Sequence, residues 1–164
     1  MTTLHQKAQN GLLAGEVLTT TKLNEQTGNG TAVWHYAAEF NGFKDIPQRL
    51  FTEKAMNIRD QRGNTVWHFA AWHNQLKYIP RKLFTEEALN QTNLKKESVW
   101  HLINKMGTIK SVPKFLITEE LYDSVFSKEN RDYIEKVISD RKAILSDFIE
   151  KNPKMANDKR SRRR

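Results

Sequence analysis

Trp-His occurs at positions 34, 67 and 100, so the same dipeptide returns at a constant interval of 33 residues. Without any insertion, that shift brings Ile46-Pro47 onto Ile79-Pro80 and Val112-Pro113 and aligns Asn57 with Asn90 and Asp123. It also places Leu-Phe-Thr-Glu at 50 and at 83 on Leu-Ile-Thr-Glu at 116. Agreement at separated places in three copies constrains the fold more than any composition does. A period near 33 belongs to a stacked array, in which each unit covers the apolar face of the next. Leu18-Thr19 and Leu23-Asn24 fall in register with Phe51-Thr52 and Met56-Asn57, which marks a partial copy ahead of the others.

Within a copy, residues 66–74 read as a short helix with Trp67, Ala70 and Ala71 on one side, the small alanines allowing close approach of neighbouring helices. Asn41, Asn74 and Gly107 end the three copies of this helix, being the residue types that best tolerate a left-handed backbone. Pro80 suits the first turn of a second helix, where a missing N–H costs little. Thr85, followed by Glu86 and Glu87, predicts an N-cap with acidic residues in the first turn of a further short helix.

These residues resemble the ankyrin repeats, whose unit is 33 residues long and carries Thr-Pro-Leu-His-x-Ala-Ala. Asp60, Gly63, Thr65, His68, Ala70, Ala71, Ile79 and Leu83 stand where that pattern has its Asp, Gly, Thr, His, two Ala and two apolar residues. Gly30, His35, Ala37 and Ala38 match in the copy before. In the copy after, Ser98, His101 and Leu102 remain while Ile103 and Asn104 replace the alanines. The resemblance implies an all-α, ankyrin-like helical solenoid of three to four units. Its organisation is a partial N-terminal cap at 1–24, repeats at 25–57 and 58–90, and a degenerate repeat at 91–123. Two departures stand out. Val66-Trp67 replaces Pro-Leu, and a proline in every second helix implies a shortened or split outer helix.

From Arg131 to Lys151, Ile134, Val137, Ile138, Ile144, Leu145, Phe148 and Ile149 recur at spacings of three and four, predicting one amphipathic helix within 124–152. Two roles are open to it, capping the array or pairing with a second copy of the chain, so a monomer and a homodimer through 131–151 both stay in view. The net charge of +8 is uneven: residues 151–164 carry seven basic side chains against Asp158, leaving only +2 for residues 1–150. Lys159, Arg160, Arg162, Arg163 and Arg164 therefore form a basic tail at 153–164, read as disordered, with nucleic acid or an acidic protein as its candidate partner.

With no cysteine, the chain has no disulfide, thiolate metal site or cysteine nucleophile. No run reaches the roughly 18 apolar residues of a membrane span, and the expectation is a cytoplasmic protein, or a nuclear one in a nucleated cell. His35, His68 and His101 do not suggest a metal site, because equivalent positions in stacked helices lie on the order of 10 Å apart. Their expected role is to hydrogen-bond backbone and tie adjacent connectors together. Trp34, Trp67 and Trp100 are expected in the core. No cofactor and no enzymatic chemistry are expected.

What remains is a surface for another protein. The resemblance places partner contacts on the concave face, at connector tips Thr27, Asn29, Asp60, Arg62, Asn64, Lys95 and Lys96 and at first-helix positions Glu39, Phe40, Trp72, His73, Lys105 and Met106. Trp72 stands out, since its equivalents are Glu39 and Lys105 and the repeat does not require an aromatic there.

Overall fold

The computed structural model describes residues 2–123, 125 and 127–152. The chain divides into two compact bodies, one ending at Leu116 and the other beginning at Ile117. Among the described residues all regular structure is helical, and extended backbone pairs only in three isolated bridges, Gln26–Ala32, Arg59–Thr65 and Thr92–Ser98. These bridges are themselves 33 residues apart, one at the base of each connector.

The first body holds α1 (Leu4–Gln9), α2 (Thr20–Asn24), α3 (Val33–Glu39), α4 (Glu53–Met56), α5 (Val66–Trp72), α6 (Glu86–Asn90) and α7 (Val99–Met106). The Trp-His helices α3, α5 and α7 pack in sequence, and α1 packs on α3. Ala37, Ala38, Ala70 and Ala71 have no exposed surface, so the backbones approach closely where larger side chains would hold them apart. Trp34 and Trp67 are buried beside them, with the Phe51 and Phe84 rings at 4.9 and 5.1 Å between centroids.

Each Trp-His helix stops for the expected reason. Asn41, Asn74 and Gly107 have φ of 60°, 55° and 67°. The N–H of Gly42, Gln75 and Thr108 then donates to the carbonyl five residues back, on Ala37, Ala70 and Ile103. That pairing is the Schellman closure, which satisfies a carbonyl the helix leaves open. Thr19, Thr52 and Thr85 cap α2, α4 and α6 by accepting the N–H three residues on.

The second helix of each copy is split, as its proline implied, and neither half is α-helical. In its place are two 3-10 turns on either side of the Ile-Pro or Val-Pro step: Phe43–Asp45 and Gln48–Leu50, Leu76–Tyr78 and Arg81–Leu83, Ile109–Ser111 and Lys114–Leu116. Proline disfavours the α conformation in the residue before it, and Ile46, Ile79 and Val112 are extended accordingly. Pro47 and Pro80 precede the second turn and do not lie in its first residues.

The second body contains α8 (Glu120–Asp123), packed on α9 (Lys128–Lys151). Ser127 caps α9 through the N–H of Asn130, and the Asn152 amide closes it on the Phe148 carbonyl. Arg141 donates to the Ile117 carbonyl at 3.0 Å, and Lys142 pairs with Glu119 at 2.6 Å. Along α9 only Asn130, Ile134 and Val137 are buried, while Ile144, Leu145, Phe148 and Ile149 are exposed. The apolar stripe read over 131–151 is thus covered in its first half and open in its second. Among the described residues no helix is long and apolar enough to cross a membrane. The basic tail at 153–164, with Lys159, Arg160, Arg162, Arg163 and Arg164, lies outside the described residues.

Candidate partner-binding groove

The connectors of successive copies are joined edge to edge. Gln61 N–H donates to the Asn29 carbonyl and Leu94 N–H to the Arg62 carbonyl, both at 3.0 Å. The Gln26 amide reaches Arg59 O, and the Arg59 guanidinium reaches Thr92 O, each across 33 residues. Each tip is closed by its own side chain. Asp60 accepts from the N–H of Arg62 and Asn64, and its equivalent Asn93 accepts from those of Lys95 and Glu97. Short polar side chains that bond their own backbone two residues on are the usual means of fixing such a turn.

Two histidines lock these connectors to the helices. His35 Nδ1 accepts from Ala32 N–H at 2.9 Å, and His68 Nδ1 from Thr65 N–H at 3.1 Å. An imidazole nitrogen that accepts carries no proton, so the neutral ring bears its hydrogen on Nε2. That nitrogen donates across to the next connector, to Asn64 O from His35 and to Glu97 O from His68. Burial holds both imidazoles below their ordinary titration range. His101 is different: it is exposed, and Ser98 Oγ caps α7 by accepting its N–H.

Between the tips and the first helices lies a groove of about 430 Å³. Of the residues expected at a partner surface, Asn29, Glu39, Asp60, Arg62, Asn64, Trp72, His73 and Lys95 line it. Thr27, Phe40, Lys96, Lys105 and Met106 lie outside its walls. Asn64 departs from an exposed tip residue: it is buried, its amide donates to Asp60 and its carbonyl oxygen accepts from Asn93. It holds two tips together. Lys105 instead reaches Glu97 at 3.8 Å, and the Asn93 amide, donating to that carboxylate, holds Glu97 below the usual carboxylate range.

Tyr36 and Phe69, not foreseen from the sequence, also line the groove. Each stands three residues before Glu39 or Trp72, one turn earlier on the same helix face, and that spacing is the signal that could have found them. Phe69 makes the centre of a ring cluster. His35 and Trp72 each meet it in a T-shaped arrangement, at 4.9 and 5.8 Å between ring centres, and His73 stacks on it at 6.4 Å. Trp72 is half-buried, so one part of the indole is fixed and another faces the groove. The walls combine rings with the charges of Glu39, Asp60, Glu97, Arg62 and Lys95, a surface suited to gripping a side chain and its flanking polar groups. Among the described residues no group of three or more His, Asp or Glu is placed to hold a metal ion.

Comparison with protein-family models and with curated proteins found no match for this chain.

Proposed function

We propose that the three copies form an ankyrin-like helical array and that its groove binds another protein, without catalysis. The observation that carries this reading is the ring cluster on α5. At the two positions where its neighbours carry Glu39-Phe40 and Lys105-Met106, this helix carries Trp72-His73, seated on a Phe69 ring that His35 fixes from behind. A large ring held in place before binding loses little conformational freedom when a partner covers it, which is the condition for an interface anchor. The edge-joined tips serve the same end, because they hold both walls of the groove rigid.

The test is capture from cell lysate with the intact chain and with Trp72→Ala, followed by identification of the bound proteins. A protein retained by the intact chain and lost, by roughly tenfold or more, from a folded Trp72→Ala variant supports the groove. An unchanged set of captured proteins rules it out.

A further inference from the structure

The groove leaves unexplained the other side of each copy, the paired 3-10 turns. Lys44, Lys77 and Lys110 occupy one equivalent position, and Arg49, Arg81, Lys82 and Lys114 stand just beyond each proline. All seven are exposed, and the only acidic residue in these turns is Asp45. Residues 1–150 carry only +2 in total, so the rest of that span is net acidic. The positive charge of the folded chain is therefore collected on the turns, and none of these side chains lines the groove.

Two aromatic residues sit among the cations. Phe115 is 52% exposed, with the Arg81 guanidinium of the preceding copy 5.5 Å from its ring centre. That contact places the turns of the second and third copies side by side. Lys77 lies 5.1 Å from the ring centre of Tyr78.

We propose that these turns are a second interaction surface, which binds single-stranded nucleic acid. Exposed cations repeated on successive copies attract a polyanion, which binds by displacing the counterions that otherwise accompany its phosphates. Phe115 and the guanidinium plane over it add flat faces on which an unpaired base stacks, which a duplex does not offer. An anionic bilayer fits less well, because a helix that lies on a membrane carries a continuous apolar face, and here the only large apolar side chain exposed on the turns is Phe115.

The experiment uses the full chain and a fluorescent oligothymidine of about 20 nucleotides, titrated over a series of salt concentrations. Two charge variants are compared with the wild type: Lys77→Gln with Arg81→Gln and Lys82→Gln, and a second with Arg160, Arg162, Arg163 and Arg164 changed to Gln. Removing three phosphate contacts is expected to weaken binding about tenfold and to reduce the slope of log K against log salt by about two. Phe115→Ala is expected to weaken binding about fivefold or more with the salt slope unchanged. All substituted positions on the turns are exposed, and circular dichroism with a melting curve checks that the variants fold. Three results overturn the proposal: wild-type affinity in the turn variant, loss of all binding in the tail variant alone, or binding to phosphatidylserine vesicles with none to the oligonucleotide.

Discussion

The second copy, at 58–90, and the third, at 91–123, share a register but differ at the positions that face a following copy. In the second, Ala70 and Ala71 let α7 approach, Gly63 lets the next tip lie 3.1 Å from where its Cβ would stand, and His68 donates to the next connector. In the third, those positions hold Ile103, Asn104, Lys96 and an exposed His101. What both copies keep is internal: the left-handed stop, the buried Trp and the proline-split turns. The difference separates two kinds of repeated residue. One kind folds the unit, and the other joins it to its successor.

The largest effect expected from this division concerns the two tryptophans of α5. Trp67 folds the unit, being 1% exposed, and Trp67→Ala should cost roughly 3–5 kcal/mol from lost burial and the cavity left behind. Trp72, half-buried at the groove, should cost about 1 kcal/mol or less. Urea denaturation of both variants measures the contrast. Equal losses would mean that the Trp72 ring is core, and would remove the basis for treating it as an anchor.

A smaller effect belongs to the joining histidines and depends on pH. The unfolded imidazole titrates near pH 6.5, whereas burial keeps His35 and His68 neutral to lower pH in the folded chain. Below about 6.5 the unfolded state therefore binds more protons, and stability must fall as pH falls from there toward the folded values. Above that range their contribution is complete. Protonation of Nδ1 also removes the acceptor that holds the N–H of Ala32 or Thr65. Denaturation midpoints measured from about pH 8 to about pH 5.5 should decline in the wild type, and less steeply in His68→Gln. A slope unaltered in His68→Gln would show that the connector bond is not what the protons break.

Much of this was legible in the sequence because the responsible physics is local. A left-handed stop needs Asn or Gly at one position, a threonine cap needs an N–H three residues on, and an imidazole bridge needs a fixed interval to the next connector. The helical class and the buried tryptophans follow from the same spacing. Other features depend on where a side chain turns after the chain has folded. Asn64 reads as a polar tip and points inward to Asn93 and Asp60. Phe69 reads as one more apolar residue of α5 and forms the floor of the groove. The prolines announced a break in the outer helix, yet whether each half would be α-helix or 3-10 turn was set by the few residues left on either side. Charge was hidden by order along the chain: the lysines at 44, 77 and 110 are far apart in sequence and equivalent in the fold.

The smallest expected effect tests the comparison at the tip itself. Gly30, Gly63 and Lys96 are equivalent and have φ of 76°, 74° and 66°. A left-handed backbone costs a residue with a Cβ roughly 1–2 kcal/mol, so the first two copies hold glycine and the third carries strain. A second demand acts on the first two alone. A Cβ at Gly30 would lie 3.3 Å from Arg59 O, and one at Gly63 3.1 Å from Leu94 N, because the following tip presses against them. Lys96 is exposed in the third copy, so the backbone angle is the main demand on it. Lys96→Gly should raise stability by about 0.5 kcal/mol, the relief of strain being offset in part by the freer unfolded chain. Gly63→Ala should lower it by about 1 kcal/mol or more, since it meets both demands. Lys96→Asn keeps tolerance of the left-handed region while removing the charge, and should fall between Lys96→Gly and the wild type. If Lys96→Gly is instead destabilising, the lysine side chain contributes more than its backbone angle costs, and position 96 joins the copies in a way that glycine at 30 and 63 does not.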